Sequence, residues 1–148
     1  MNAGNSSTLR RLAPFAGLAL VILVFAILTG APAQYLSMPN LRIVLAQTVI
    51  VAIGAVGMTM IIVSGGIDLS VGSTIALTGV ATALALNRSW PPMTAILAAI
   101  VLGGLVGMVN GLVITRLRVV PFIATLGMLG VARGAAKWLA GEMTVGAP

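Results

Sequence analysis

LRIVLAQTVIVAIGAVGMTMIIV (41–63), SGGIDLS (64–70) and VGSTIALTGVATALAL (71–86) follow one another without interruption. The first run is apolar on every side and about as long as a helix must be to cross a hydrocarbon core of roughly 30 Å. It shows no polar face of the kind that marks a surface-lying helix. The second piece is polar and glycine-rich, and each glycine disfavours helix continuation by about 1 kcal/mol relative to alanine. A helix break between Val63 and Val71 is therefore expected. The third run covers only about 24 Å at 1.5 Å per residue, short of a comfortable span, so the break is expected at some depth in a membrane. Irregular backbone is tolerated there only where protein buries it or where it lines a wet cavity.

The rest of the chain repeats the apolar pattern. Leu12 to Ala31, Met93 to Thr115 and Val119 to about Ala140 are further long apolar stretches, the last interrupted by Arg133 and Lys137. Hydrophobic residues make up 59% of the 148 and charged residues 7%, against roughly 25% charged in a soluble domain. The expected fold is all-α, a polytopic transmembrane helix bundle of about five membrane segments with one Gly-rich break. Residues 1–11 form a polar tail and 12–148 the membrane domain.

Composition closes most chemistries. There is no Cys and no His, which removes thiolate and imidazole metal ligands and the Ser-His and Cys-His nucleophile systems. Asp68 and Glu142 are the only acids, far apart in sequence for paired-carboxylate work. No catalytic residue and no metal site is expected. The net charge of +6 comes from basic residues scattered singly between apolar runs. They make no patch for tracking phosphates, so no nucleic acid is expected as a partner. Their role is topological, because cytoplasmic loops gather Lys and Arg.

Arg10 and Arg11 stand directly before the first apolar run and put the N-terminus in the cytoplasm. A cleaved signal peptide is the competing reading, since Ala31-Pro32-Ala33 resembles a small-residue cleavage site, but the run exceeds the usual 7–15 residues. Alternation then places Arg116 and Arg118 inside. Pro121 suits the first turn of the last segment, where its missing N–H is not needed. Arg133, Lys137 and Glu142 fall near the outer interface, against the positive-inside bias unless they snorkel or the segment is re-entrant.

Within the break, Asp68 or Ser70 has two open roles: accepting hydrogen bonds from the free N–H groups that start the following half-helix, or meeting a solute along a path. An ionisable residue inside a membrane defaults to a functional hypothesis. Gly103, Gly107 and Gly111 recur every four residues, and Gly130 and Gly134 repeat the spacing. Such stripes let helix backbones approach closely and read as packing surfaces, with Asn110 as an interhelical hydrogen-bonding group.

Val56-Gly57-Met58-Thr59 leading into Ser64 to Ser73, then Gly107 with Asn110-Gly111, then Val120-Pro121-Phe122-Ile123-Ala124-Thr125-Leu126-Gly127 and Arg133-Gly134 together carry a resemblance. The chain resembles the membrane permease subunits of bacterial ribose-type ABC sugar importers, in the first half of that family, over about Leu41 to Gly141. The resemblance implies a multi-pass subunit of the bacterial inner membrane that passes a monosaccharide from periplasm to cytoplasm by alternating access. It implies as partners a second permease subunit in a dimer, a periplasmic sugar-binding protein, a cytoplasmic ABC ATPase subunit and the lipid bilayer. No Gly-x-x-x-x-Gly-Lys-Ser/Thr pattern occurs, so ATP is expected on the partner, with no cofactor in this chain and no enzymatic activity of its own. Gly65, Gly66, Asp68, Ser70 and Ser73 are then the expected path or gating residues. Family members are about twice this length, and their ATPase-docking loop lies in the second half, so the chain is expected to be the N-terminal half of a larger permease. The rival expectations are an ion-coupled secondary carrier, and a non-transporting packing subunit or truncated remnant.

Overall fold

The computed structural model describes the backbone of residues 3–148 and the side chains of 12–148. The tail expected over 1–11 lies, apart from the backbone of 3–11, outside the described residues. Six helices follow in order: α1 (Ala3–Leu28), α2 (Pro32–Tyr35), α3 (Met38–Val63), α4 (Val71–Asn87), α5 (Pro92–Arg116) and α6 (Pro121–Ala140). No strand occurs among the described residues. α3 and α5 are each long and apolar enough to cross a membrane, while Leu12–Leu28 and α4 are apolar but shorter. The protein is thus an all-α membrane-type bundle with at least two helices of spanning length.

Prolines place several helix starts. Pro32, Pro92 and Pro121 each occupy the first helical position, where φ is already set and no N–H is missed. Three departures from the sequence reading appear here. α1 starts at Ala3, not at the first apolar residue. Gly30, Pro32 and Pro39 read in the sequence as breaks in a loop before a helix starting near Asn40, but that loop contains the one-turn α2. Pro39 does not break the chain and sits in the first turn of α3, where a proline is tolerated.

The chain divides into two compact units, Met1–Ile53 and Gly54–Pro148. In the first, α2 packs on α1, and the entry to α3 is tied by Asn40 Nδ2, which donates to the Tyr35 carbonyl at 2.6 Å.

In the second unit α4 packs against both α5 and α6. Its core is Leu77 of α4 with Ala132 and Ala136 of α6, flanked by Leu102, Val106 and Ala135. The residues buried at these contacts are mostly alanines, including Ala83, Ala85 and Ala95. Small side chains bring backbones close and let dispersion contacts accumulate where no water-driven collapse acts between apolar helices. Large apolar side chains point outward instead, as Val63 does at 81% exposure. That is an interior of small residues and an exterior of large ones, the arrangement suited to a lipid solvent.

Candidate functional site

α3 ends in a Schellman stop. Gly66 N–H donates to the Ile61 carbonyl at 2.9 Å and Gly65 N–H to the Ile62 carbonyl at 3.0 Å, the paired bonds that satisfy the last orphan carbonyls of a helix. Gly65 takes φ +80°, a conformation that costs an L-residue with a side chain about 1–2 kcal/mol. Gly66 is needed for a different reason, because a Cβ there would lie 3.1 Å from Ile61 Cγ2.

Past the stop, Asp68 folds the chain back on itself. Its Oδ1 accepts from Ser70 N–H at 2.7 Å and from Ser70 Oγ at 2.6 Å, an Asx turn made stronger by the carboxylate charge. Of the two capping candidates, Ser70 is thereby corrected. It is the residue before α4, but its backbone is already helical and its side chain caps nothing. The hydroxyl is committed elsewhere: its proton goes to Asp68, and its oxygen accepts from Asn110 Nδ2 of α5 at 3.0 Å. The Ser70 carbonyl starts α4, receiving Thr74 N–H at 2.8 Å and Ser73 Oγ at 2.7 Å.

A second helix holds the break from the other side. Thr125 of α6 accepts from Leu69 N–H at 3.1 Å, and its Oγ1 also lies 3.2 Å from the Ile67 carbonyl and 2.9 Å from that of Pro121. Ser70, Thr125, Ser73 and Asn110 are all buried, the first two at 1% and 2% exposure. Polar groups so deep in an apolar bundle are costly unless paired. Here no buried side-chain nitrogen or oxygen among the described residues lacks a partner.

In front of this network lies a cleft of about 430 Å³, lined by Ser64, Gly65, Gly66 and Asp68 of the break, Gly107, Asn110, Gly111 and Thr115 of α5, and Pro121 and Thr125 of α6, with Ile61, Ile67 and Ile114. One carboxylate, one amide, three hydroxyls and several bare glycine backbones meet there, with no cationic side chain among the lining residues. The lining thus offers hydrogen-bond donors and acceptors together with one carboxylate.

Gly65, Gly66 and Asp68 thus face the cleft, whereas Ser70 and Ser73 stand behind it as supports. The glycine stripe divides. Gly103 meets α4, its added Cβ falling 3.6 Å from Thr78 Cγ2; Gly107 and Gly111 line the cleft; and Gly130 and Gly134 have no heavy atom within 4 Å of an added Cβ. Arg133 is exposed and borders a separate groove with Leu69, Gly72 and Ser73. Thr125 was not singled out by sequence reasoning as a site residue. Its signals are its place in the Val120 to Gly127 stretch of the family resemblance and its position four residues after a helix-starting proline.

Residues 40–147 match the family described as branched-chain amino acid transport system / permease component, a span that includes the break and every residue lining the cleft. The chain is 42% identical over 117 residues to the ribose import permease protein of Escherichia coli (strain K12), covering 79% of this chain and 36% of that protein. It is 39% identical over 117 residues to the ribose import permease protein of Haemophilus influenzae, with 79% and 36% covered. It is 35% identical over 129 residues to the autoinducer 2 import system permease protein of Enterobacter sp. (strain 638), with 86% and 38% covered. The chain therefore spans little more than a third of the length of the curated relatives it matches. No solved structure gives a significant match.

Proposed function

The chain belongs to the family of branched-chain amino acid transport system permease components, and from that premise we propose that it builds part of the membrane path of an ATP-driven importer for a monosaccharide of the ribose type. The observation that carries the reading is the polar cleft beside the break, within the 40–147 span that matches the family. The sugar rather than the amino acid is favoured by the lining. A zwitterion would bring a carboxylate into a cleft that holds one carboxylate and no cation, at a high desolvation cost. A neutral polyol needs only the acceptors and donors present. The similarity to two ribose import permeases points the same way.

In this reading Gly65, Gly66 and Asp68 shape the path, with Ser70 and Ser73 holding them, and the break lies inside the membrane. Asn110, which touches Ser70, is six residues before the end of α5, roughly 9 Å along the axis, and this supports a depth of about two turns from the α5–α6 loop. α1, α3, α4, α5 and α6 are the five segments, the N-terminus is cytoplasmic, and the location is the bacterial inner membrane. Gly130 and Gly134 pack against helices outside this chain. A second permease subunit, a periplasmic sugar-binding protein and a cytoplasmic ABC ATPase complete the importer; this chain forms the path and hydrolyses nothing.

The test is uptake of radiolabelled ribose by vesicles that carry the chain in its assembled transporter, with ATP enclosed. Uptake that needs both ATP and the binding protein is expected, and leucine is expected to compete poorly. Uptake abolished by an uncoupler while ATP is replete would point to an ion-coupled carrier instead. Assembly without uptake of any sugar would leave a packing subunit.

A further inference from the structure

We infer that Thr125 is a positioning residue for Asp68: one hydroxyl, carried by α6, accepts from the backbone N–H that follows the aspartate and lies against the carbonyl that precedes it. Leu69 N–H donates to Thr125 Oγ1 at 3.1 Å, and the Ile67 carbonyl lies 3.2 Å from the same oxygen. A threonine hydroxyl has one proton and two lone pairs. The proton goes to the Ile67 carbonyl or to the Pro121 carbonyl, 2.9 Å away, and in either case the bond from Leu69 occupies a lone pair.

The competing role is an ordinary back-bond within α6. Threonines in apolar helices often donate to the carbonyl four residues earlier, and Thr74, Thr78, Thr82 and Thr115 all do so here. Thr125 differs from those four in also accepting, from a backbone donor 56 residues earlier in the chain. It is buried, at 2% exposure, beside the cleft. With Leu69 tied to α6 and the Ile67 carbonyl 3.2 Å from the same oxygen, the backbone on both sides of Asp68 lies against Thr125. The Asx turn through Ser70, itself tied to α5 by Asn110, then sets the carboxylate. The break is thus tied to two different helices directly beside its one charge.

The importance of this pin for uptake rests on the reading of the cleft as the path; the pin itself does not. The chain contains no Cys, so, with any cysteines elsewhere in the transporter replaced, a single reporter thiol can be placed at Leu69, which is only partly buried. We expect Leu69→Cys, in the full transporter in membranes, to react slowly with a maleimide. Adding Thr125→Val should raise the rate at least fivefold, and adding Thr125→Ser should leave it within twofold. If Thr125→Val does not accumulate in the membrane, Thr125→Ala serves in its place with the same expected rise. An unchanged rate in the Val or Ala background overturns the inference, as does a Ser variant that behaves like Val, since methyl packing would then explain the site. In uptake, the same variants should lower the maximal rate more than the apparent affinity, with Ser restoring it. Altered labelling with no uptake in any version counts against the transport reading and leaves the pin standing.

Discussion

The charge of Asp68 and the turn it makes are separable, because both bonds from Ser70 reach a single carboxylate oxygen. Asparagine offers an acceptor at the same place. Asp68→Asn should therefore keep the break folded, with thermal unfolding in detergent close to the parent, while Asp68→Ala removes both bonds and should cost about 1–3 kcal/mol. If ribose uptake needs the charge rather than the turn, the Asn variant will lose it while remaining folded. Gly65 poses a purely conformational test. Its φ of +80° has open space around the missing Cβ, so Gly65→Ala should cost only the left-handed penalty of about 1–2 kcal/mol. Gly66→Leu should cost more, because a Cβ there already meets Ile61 at 3.1 Å.

At the scale of the helices, stops and contacts decide stability. α4 ends in the same paired bonds as α3, with Ser89 N–H on the Leu86 carbonyl and Trp90 N–H on the Ala85 carbonyl, but the left-handed position is held by Ser89 at φ 60°. Ser89→Gly should relieve that strain and stabilise the protein by up to about 1 kcal/mol, measurable as a raised unfolding midpoint. The α4–α5 contact gives a paired comparison. At Gly103 an added Cβ already touches the Thr78 methyl at 3.6 Å, so the further atoms of a leucine crowd α4, whereas at Gly104 an added Cβ meets nothing within 4 Å. Gly103→Leu should destabilise by about 1–3 kcal/mol and Gly104→Leu hardly at all.

For the molecule as a whole, the surface is a prediction in itself. Large apolar side chains cover α3 and the outer faces of α5 and α6, so the protein should stay in the membrane fraction through carbonate extraction. With no native Cys, single replacements map its orientation: Leu117→Cys should react with an impermeant maleimide only from the cytoplasmic side, and Ser89→Cys from the outside of intact cells. The reverse pattern would invert the proposed topology without touching the fold.

Local sequence signals were enough to locate the long apolar helices and the place where two of them part. Apolar runs, prolines at first turns and the Gly65-Gly66 pair are local signals, so α3 was expected to end at Val63, where it does, and α4 and α5 were expected to within a residue. The start of α1 escaped because its first turns are polar and carry no apolar period. The site was half legible: a lone acid among glycines marks itself, and Asn110 stood out as a polar residue in an apolar helix. What holds Asp68 in place was decided only by tertiary structure. Thr125 and Ser70 act through bonds that span 40 residues or more, and a hydroxyl that pins a distant backbone has the same sequence appearance as one that back-bonds within its own helix. The division of the glycine stripe into one packing residue and two cleft residues likewise depends on which neighbour each meets, and helical spacing specifies a face without specifying what lies against it.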